Sequence, residues 1–475
     1  MREQSVRRQN RSNPFGVILL TVCLIISLII IDTSFIPFFS IDIAKPAYAL
    51  TPSPDVTASS AILIDAKTGE ILYSKDIHKQ EYPASMTKII TALLTLEHLK
   101  LDEIVTVDDK SPYTKGSKIA LNAQEELSVE ELMYALLIPS ANDAAEALGV
   151  RISGSLEEFA KLMNSKAKEL GAQNTNFVNP NGLHNPDHMT TAYDMAMIAR
   201  EAMKNDEFRR FVSTYTHTIP PTNKQPKERL MHNTNRLLYD EAHKVIYNGK
   251  SRPIKYEDVT GIKTGYTFEA GYCLTAGAER DGMELIAVLM HSESDNARYL
   301  DAISLLEYGF DNYKNMLAVA AGTSTGAIEV RLGNAESTGT YVDEDIWITV
   351  PADTMISDIV KDVQLSPFLE APVKPGDIAG VLKVKYKGVE LAQADVFVSD
   401  GVSVGTITGP SATDNILHTV RNVVFSLLGV FLLLLLVYVL MKRRQIRIKR
   451  QRRAERAIRL DLVKSEMEAL RRKSS

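Results

Sequence analysis

The sequence SMTKIITALLTLEHL at residues 85–99 contains no glycine or proline, and its apolar residues recur at helical spacing. This pattern predicts a buried helix that begins shortly after Pro83. Upstream, residues 58–75 read ASSAILIDAKTGEILYSK, in which two short apolar runs flank Lys67-Thr68-Gly69. Such a pattern predicts a strand, a turn and a second strand. A hairpin followed by a buried helix indicates a domain that combines a sheet with helices.

The chain downstream of this helix continues the same mixture. Residues 272–279 and 284–290 are apolar runs joined by Arg280-Asp281-Gly282, which predicts an antiparallel hairpin. Five further segments are predicted to be helical, the first two separated by a break at Pro139: 128–138, 142–149, 155–170, 190–204 and 296–310. Helices that flank a mostly antiparallel sheet predict one α+β domain over residues 50–313.

The character of the sequence changes after residue 313. Short runs rich in valine and isoleucine, such as IWITVP at 346–351 and VLKVKY at 381–386, alternate with turn residues. This pattern predicts a small β-rich domain over residues 314–400. Glycine, serine and threonine are frequent in residues 401–415, so we expect a linker over residues 401–422.

Two apolar segments outside these domains concern the membrane. Near the N-terminus, arginines precede an apolar run from Gly16 to Ile31, and Ala47 and Ala49 occupy the −3 and −1 positions of a cleavage site. This combination predicts a secretory signal peptide over residues 1–49. The alternative is an uncleaved signal anchor.

The second apolar segment, Val423 to Met441, has 19 residues without a charge. At the rise of an α-helix it is about 28 Å long, which matches the hydrocarbon core of a bilayer. Lys442-Arg443-Arg444 follow it directly, and positive residues remain on the cytoplasmic side. We therefore expect a single transmembrane helix at 423–441 in the cell membrane, a basic cytoplasmic tail at 442–475 and an extracytoplasmic body. A buried core helix is the alternative.

Charge separates the body of the protein from its tail. Residues 50–415 contain 34 Lys and Arg against 52 Asp and Glu, whereas residues 442–475 contain 14 against 4. A body with a net negative charge repels phosphate, so we expect no nucleic-acid partner. Two cysteines exclude a disulfide scaffold and a cysteine-built metal site, and the histidines are scattered along the chain. We expect no metal and no cofactor.

Ser85 and Lys88 stand three residues apart at the start of the predicted helix. That spacing places both side chains on one face. A serine hydroxyl is a weak nucleophile unless a neighbouring base takes its proton, and a lysine serves as that base only when its pKa is lowered. The pair alone is weak evidence, because a helix cap followed by a solvated lysine gives the same pattern.

Two further triplets follow in order along the chain. Ser140-Ala141-Asn142 stands at the predicted break between two helices, where a loop can aim a hydroxyl and an amide into a cleft. Lys263-Thr264-Gly265 leads into the hairpin, where an edge strand offers a cation and a hydroxyl to a carboxylate. The glycine of this triplet would admit a substrate backbone closely.

Two other triplets have the same composition but the wrong place in the order. Lys67-Thr68-Gly69 precedes the serine motif, and we interpret it as a hairpin turn. Ser294-Asp295-Asn296 follows the second hairpin, and we interpret it as a loop and helix cap. These two copies show that a single triplet has little specificity, whereas the ordered set of three is specific.

This ordered set resembles the serine-type D-alanyl-D-alanine carboxypeptidases, which are low-molecular-mass penicillin-binding proteins. Longer segments also resemble that family, among them YPASMTKIITALL, LLIPSANDAAEALG, LGAQNTNFVNPNGL and VTGIKTGYTFEAGYCL. The segment APVKPGDIAGVLKVKYKGVELAQADVFV resembles the family's second, β-rich domain. The resemblance covers about residues 55–400 and implies a catalytic domain with the fold of penicillin-binding proteins and serine β-lactamases.

The resemblance also implies a role for each motif residue. Ser85 would be acylated by a peptidoglycan stem pentapeptide with release of the terminal D-alanine. Lys88 would be its general base, and Ser140 would relay a proton to the leaving amine. The residues implied in substrate binding are Asn142, Lys263, Thr264, Gly265, Tyr266, Arg298 and Arg236.

The implied binding roles differ in kind. Asn142 would hold the substrate amide, Lys263 would sustain the electric field that keeps Lys88 neutral, and Thr264 with Arg298 would bind the terminal carboxylate. Tyr266 would contribute its backbone N–H to an oxyanion hole together with that of the nucleophile.

Two of these assignments stay open. Tyr266 stands where some relatives have histidine, which puts a role for its side chain in doubt but leaves its backbone donor intact. Arg236 matches an Asn-Arg pair of the family, and a structural ion pair is an equal alternative.

Two other functions also remain open. A secreted β-lactamase shares the fold and the acyl-enzyme chemistry, but it does not ordinarily carry a second β domain and a membrane anchor. A wall-binding protein with a decayed active site belongs to another class, but all three motifs are intact here. The resemblance favours a cell-wall carboxypeptidase whose partners are the stem peptide, β-lactams as covalent inhibitors, and the membrane.

Overall fold

The structure is a computed structural model that describes residues 52–405 and 410–471. The predicted signal peptide at residues 1–49 lies outside the described residues. The α-helices in chain order are α1 Lys88–His98, α2 Val129–Leu137, α3 Asn142–Ser153, α4 Leu156–Glu169, α5 Ala192–Ala202, α6 Asp206–Ser213, α7 Asp295–Asn312 and α8 Pro410–Arg471.

The strands fall into two groups along the chain. The first domain contains β1 Ser60–Asp65, β2 Ile71–Lys75, β3 Ile104–Thr106, β4 Glu126–Ser128, β5 Thr216–Ile219, β6 Arg229–His232, β7 Lys244–Tyr247, β8 Lys250–Pro253, β9 Val259–Thr267, β10 Gly271–Arg280 and β11 Met283–Ser292. The second contains β12 Tyr313–Val319, β13 Ser324–Arg331, β14 Ser337–Tyr341, β15 Ile346–Pro351, β16 Ile359–Leu365, β17 Leu369–Glu370, β18 Ile378–Tyr386 and β19 Val389–Val398.

The first domain is built around a five-stranded antiparallel sheet in the order β2-β1-β11-β10-β9. Alternate residues of β1 enter two different cores. Ile62 and Ile64 belong to the core that contains α1, whereas Ala61 and Leu63 belong to the core that contains α7. A strand buried on both faces must be apolar throughout, which explains the uninterrupted run at the start of the first hairpin.

Helices cover both faces of this sheet, so the prediction of an α+β fold with a flanked antiparallel sheet is confirmed. The two predicted hairpins are confirmed as β1–β2 and β10–β11. β9, which carries Lys263-Thr264-Gly265, is the edge strand that the sequence predicted. One long side of this strand is therefore left free for a ligand or for other segments of the chain.

Two local predictions need correction. Residues 84–87 form a 3₁₀ turn and the α-helix begins only at Lys88. Ala84 has a φ of +46°, which lies outside the α-helical region, so an α-helix cannot extend back through this residue. The segment between α5 and β9 contains α6 and the hairpins β5–β6 and β7–β8, which were not predicted. Those strands are four residues long and largely exposed, so they carry little apolar alternation.

The second domain contains a six-stranded sheet in the order β16-β18-β19-β14-β13-β17 and a separate core of its own. The two domains meet at the turn of the first hairpin. The ammonium group of Lys67 lies 3.3 Å from the ring centroid of Trp347, and Thr68 Oγ1 lies 2.5 Å from Thr349 Oγ1. The Lys67-Thr68-Gly69 triplet is thus a turn, as predicted, and it contacts the second domain.

The predicted linker at 401–422 is wrong in its extent. Residues 401–405 still pair with the second domain through isolated bridges, and α8 begins at Pro410. Proline is tolerated in the first turn of a helix, where its missing N–H would have no partner. Among the described residues, one helical stretch, Thr419–Arg450, is long and apolar enough to cross a membrane. It includes the predicted segment at 423–441.

Candidate active site

The nucleophile candidate and its candidate base lie on consecutive turns of the chain. Ser85 is in the 3₁₀ turn and is half-buried, whereas Lys88 is the first residue of α1 and is fully buried. Ser85 Oγ lies 3.1 Å from Lys88 Nζ. The spacing argument from the sequence therefore places the two groups in contact, even though the serine precedes the α-helix.

Lys88 Nζ has two further contacts, both with obligate acceptors. It lies 2.7 Å from Asn142 Oδ1 and 2.7 Å from the backbone oxygen of Asn181. The orientation of the Asn142 amide follows from its other end, because Nδ2 donates to the backbone oxygen of Lys115 at 2.7 Å. A neutral lysine amine has two N–H groups, and these two acceptors use both. Its lone pair is then left for the Ser85 hydroxyl, which donates.

The surroundings favour this neutral form. Burial of the Lys88 ammonium lowers its pKa well below the ordinary value, and the positive charge of Lys263 lowers it further. Asp143 and Glu146 act in the opposite direction. Because burial dominates, the pKa of Lys88 is shifted in the direction that a neutral lysine base requires.

The loop that supplies the Asn181 carbonyl is packed directly against the nucleophile turn. Gly182 has a φ of +82°, and a Cβ there would lie 1.8 Å from the backbone oxygen of Ala84. Thr91 on α1 also donates to the backbone oxygen of Pro180 at 2.6 Å. Only glycine allows this approach, so the Asn-Pro-Asn-Gly cluster at 179–182, whose composition is typical of a turn, also packs against the nucleophile turn.

His188 contacts the same turn through Thr87. Its Nδ1 accepts a hydrogen bond from the backbone N–H of Val178 at 3.0 Å, so the proton of the neutral ring is on Nε2, 2.8 Å from Thr87 Oγ1. Thr87 in turn donates to the backbone oxygen of Ala84 at 2.8 Å. Burial lowers the pKa of His188 to about 4, with smaller contributions from His184 and Lys88, which keeps the ring neutral.

The Ser140 motif joins the site through Asn142, which contacts Lys88. Ser140 has a φ of +65° and is 5% exposed, and its Oγ has no hydrogen-bond partner within the described part of the chain. A buried hydroxyl without a partner calls for an explanation, and a catalytic role is one such explanation. Asn142, by contrast, uses both ends of its amide inside the protein, so here it holds Lys88 where the resemblance implied that it binds substrate.

The Lys-Thr-Gly motif lies along β9 beside the nucleophile turn. Lys263 is 1% exposed, and burial together with the charge of Arg298 lowers its pKa to about 7. Thr264 Oγ1 lies 2.6 Å from Thr234 Oγ1. A Cβ on Gly265 would lie 3.0 Å from the backbone oxygen of Pro83. The missing side chain of Gly265 therefore leaves room for the nucleophile turn. The sequence suggested that it leaves room for the substrate backbone.

The two predicted arginines, Arg298 and Arg236, are joined through Asp295, and Arg298 contacts β9. Arg298 Nη1 donates to the backbone oxygens of Gly265 and Cys273 at 3.1 and 3.2 Å. Arg236 donates to Asp240 at 2.5 Å and to Asp295 at 2.6 Å. The other oxygen of Asp295 accepts from Arg298. Ser294 caps α7, as interpreted from the sequence, and the next residue joins the two arginines.

These contacts separate the two predicted arginines by role. Arg298 touches the backbone of the Lys-Thr-Gly motif and shifts the pKa of Lys263, so it belongs to the site. Arg236 has 16% of its side chain exposed and is engaged by two carboxylates, which favours the structural ion pair. Tyr266 is 54% exposed, with its ring 4.6 Å from that of Tyr272, and its side chain lies on the surface.

Three groups of this site were not predicted from the sequence. The Asn181 carbonyl and the His188 ring come from a turn and a loop that carry none of the three motifs, whereas the Glu146 carboxylate comes from α3, four residues after Asn142 of the second motif. The Asn-Pro-Asn-Gly cluster was the one available signal for the first of them. Within residues 52–405 and 410–471, no group of three or more His, Cys, Asp or Glu side chains could hold a metal ion.

Two sequence families match this chain. Residues 47–294 match the family described as D-alanyl-D-alanine carboxypeptidase, and residues 313–404 match the C-terminal domain of penicillin-binding protein 5. The chain is 34% identical to the D-alanyl-D-alanine carboxypeptidase DacF of Bacillus subtilis, over 74% of this chain and 87% of the relative. It is 29% identical to DacA of Haemophilus influenzae, over 78% of this chain and 91% of the relative.

Solved structures agree with these matches. Penicillin binding protein 5 from Haemophilus influenzae superposes with a TM-score of 0.64 at 29% identity, over 75% of this chain and 100% of that chain. Penicillin binding protein 6B from Escherichia coli superposes with a TM-score of 0.57 at 25% identity, over 74% of this chain and 98% of that chain.

The contact between Gly182 and the nucleophile turn predicts a specific defect. Gly182→Ala should slow acylation by a labelled penicillin at least tenfold, because its Cβ would overlap the backbone oxygen of Ala84. Gly171→Ala is the matched control, since Gly171 has a φ of +81° but nothing within 4 Å of its Cβ. Both variants carry a left-handed strain of about 1–2 kcal/mol, so only the steric overlap differs. Equal acylation rates in the two variants would show that this contact does not position Ser85.

Proposed function

The chain belongs to the family of D-alanyl-D-alanine carboxypeptidases, and we propose that it removes the terminal D-alanine of peptidoglycan stem pentapeptides through an acyl-enzyme on Ser85. One observation carries the proposal. Both N–H groups of Lys88 are engaged by Asn142 and Asn181, so the lone pair of the buried amine is directed at the Ser85 hydroxyl. A serine so placed can attack a carbonyl as its proton passes to the lysine.

Acylation begins with this proton transfer. Ser85 Oγ bonds to the carbonyl carbon of the penultimate D-alanine, and the backbone N–H groups of Ser85 and Tyr266 stabilise the resulting oxyanion. Losing one such donor typically raises the barrier by about 3 kcal/mol. Ser140, whose buried hydroxyl has no hydrogen-bond partner among the described residues, passes the proton from Lys88 to the departing amine. Water then attacks the ester, and the protons travel the same route in reverse.

Recognition of the substrate carboxylate falls to β9. Thr264 presents a hydroxyl at the edge of the strand, and Lys263 and Arg298 supply positive charge behind it. Arg298 is 7% exposed and donates to the strand's own backbone, so its contribution is the field and the position of the strand. A β-lactam also presents a carboxylate beside a reactive carbonyl, which makes it a covalent inhibitor of the same serine.

The direct test combines product release with mapping of the adduct. The wild-type protein should release D-alanine from a synthetic pentapeptide ending in D-Ala-D-Ala and form a long-lived penicillin adduct on Ser85. Ser85→Ala should lose both activities, and the control Ser59→Ala should keep both, because Ser59 interacts with Lys79 and Glu81 on the protein surface. An adduct mapped by mass spectrometry to any other residue would refute the assignment.

The same experiment separates the alternative functions. Rapid hydrolysis of the penicillin without a lasting adduct would identify a β-lactamase. Neither adduct nor D-alanine release would identify a wall-binding protein with an inactive site.

The membrane arrangement is also a proposal. The apolar stretch Thr419–Arg450 supports anchoring by a single C-terminal span. The basic cluster that follows residue 441 favours a cytoplasmic tail, with the two folded domains outside. The tail would then lie near anionic lipid, where each basic residue contributes roughly 1 kcal/mol of attraction.

Extraction and proteolysis test this arrangement. Carbonate or high salt should leave the full-length protein in the membrane, because the span has no polar face. Protease added to wall-stripped cells should cut between the second domain and the span and should spare the tail. A matched variant, Leu432→Arg with Leu436→Arg, should be released by carbonate, since each charge at the centre of a span is unfavourable by about 3 kcal/mol. Release of the unaltered protein, or digestion of its tail from outside, would contradict a single span with this orientation.

A further inference from the structure

Glu146 lies one helical turn after Asn142 on α3, so the two side chains share one face of that helix. A single carboxylate oxygen, Oε1, accepts two hydrogen bonds. Thr114 Oγ1 donates to it at 2.6 Å and Asn181 Nδ2 donates to it at 2.9 Å. The two donors belong to separate loops, which Glu146 therefore ties to α3 and to each other.

Each of these loops controls one of the two acceptors that engage Lys88. The loop with Asn181 supplies its backbone oxygen directly, 2.7 Å from Lys88 Nζ. The loop with Thr114 acts through the next residue, Lys115, whose backbone oxygen accepts from Asn142 Nδ2 and so turns the amide oxygen of Asn142 toward the amine. Both acceptors that engage Lys88 are thus positioned by loops that Glu146 binds.

We propose that Glu146 is a positioning residue that clamps these two loops, so that both N–H groups of Lys88 stay engaged and its lone pair stays on the Ser85 hydroxyl. The proposal rests on the proposed role of Lys88 as the general base. Glu146 acts through Asn181 and through the Thr114 loop. A carboxylate suits this position because both of its partners are donors.

The charge of Glu146 has a second consequence, which can be measured. A negative charge near Lys88 favours the protonated amine, and the groups that shift the pKa of Lys88 are Lys263, Asp143 and Glu146. His188 also faces Lys88, and Asp108 and Asp143 face Glu146. Lys88 acts only when it is neutral. Removal of the negative charge at 146 therefore makes Lys88 neutral at a lower pH, which moves the acid limb of the acylation profile downward.

The test measures the rate of acylation of the full-length protein by a labelled penicillin across pH. Glu146→Gln keeps an oxygen acceptor for both donors and removes the charge, so the acid limb should move down by about 0.5 pH unit or more while the plateau rate stays within about threefold. Glu146→Leu removes both hydrogen bonds and should lower the plateau at least about tenfold, the loss expected when a buried network loses its centre. Thermal unfolding of each variant identifies loss of folding.

Two further variants complete the design. Glu158→Gln is the matched control, because Glu158 on the neighbouring helix α4 forms an exposed pair with Lys161, and its profile should be unchanged. Thr114→Val removes only one of the two hydrogen bonds to Glu146 and should lower the plateau less than Glu146→Leu, so it replaces that variant if the leucine prevents folding.

The outcomes distinguish the clamp from the proposed function. A wild-type adduct on Ser85 combined with an unmoved acid limb in Glu146→Gln, or with a full plateau in Thr114→Val or a folded Glu146→Leu, would overturn the clamp and leave the proposed function standing. A wild-type protein that forms no adduct on Ser85 would overturn both. The clamp is supported if the acid limb moves down in Glu146→Gln and the plateau rate falls in Glu146→Leu and Thr114→Val.

Discussion

The two hydrogen bonds that Lys88 donates, to Asn142 Oδ1 and to the Asn181 carbonyl, are the constraint on which the rest of the site depends. A neutral amine has two N–H groups and one lone pair, so fixing both donors fixes the lone pair as well. Each acceptor residue is itself held by a further hydrogen bond. The side chain of Asn142 donates to the Lys115 carbonyl, and the side chain of Asn181 donates to Glu146. The base is therefore oriented by the fold before any substrate binds, which lowers the entropic part of the barrier.

Burial of positive charge is the second constraint. Lys88, Lys263 and Arg298 form a series in which each cation lowers the pKa of the next, and burial is the largest effect for both lysines. Arginine cannot lose its proton in a protein, so the end of the series must remain charged and needs a counter-ion. Asp295 provides it and also engages Arg236. Through this series the fixed positive charge of Arg298, beside β9, acts on Lys263, and the charge of Lys263 acts on the base Lys88.

The nucleophile motif and the edge strand were predictable because the relevant geometry is local. Three residues of spacing place Ser85 beside Lys88, and an apolar hairpin places Lys263 on an edge strand. Asn181 and His188 reach the site through a turn and a loop far along the chain, and no local pattern encodes such contacts. Glu146 lies only one helical turn after Asn142, but its partners Thr114 and Asn181 are distant in sequence. The 3₁₀ turn was missed for a related reason. Ala84 has a positive φ, and Gly182 and Gly265 approach that turn closely from distant segments, which no local pattern records.

A glycine in a motif also illustrates what a sequence leaves ambiguous. Gly265 was interpreted as an opening for the substrate, yet its missing Cβ makes room for Pro83. The central claim remains that Lys88 works as a neutral base on Ser85, and the acylation rate of Lys88→Arg tests it most directly. Arginine retains the charge but cannot give up its proton. The rate should fall to that of Lys88→Ala, whereas a rate near that of the wild-type protein would show that the position needs only a positive charge.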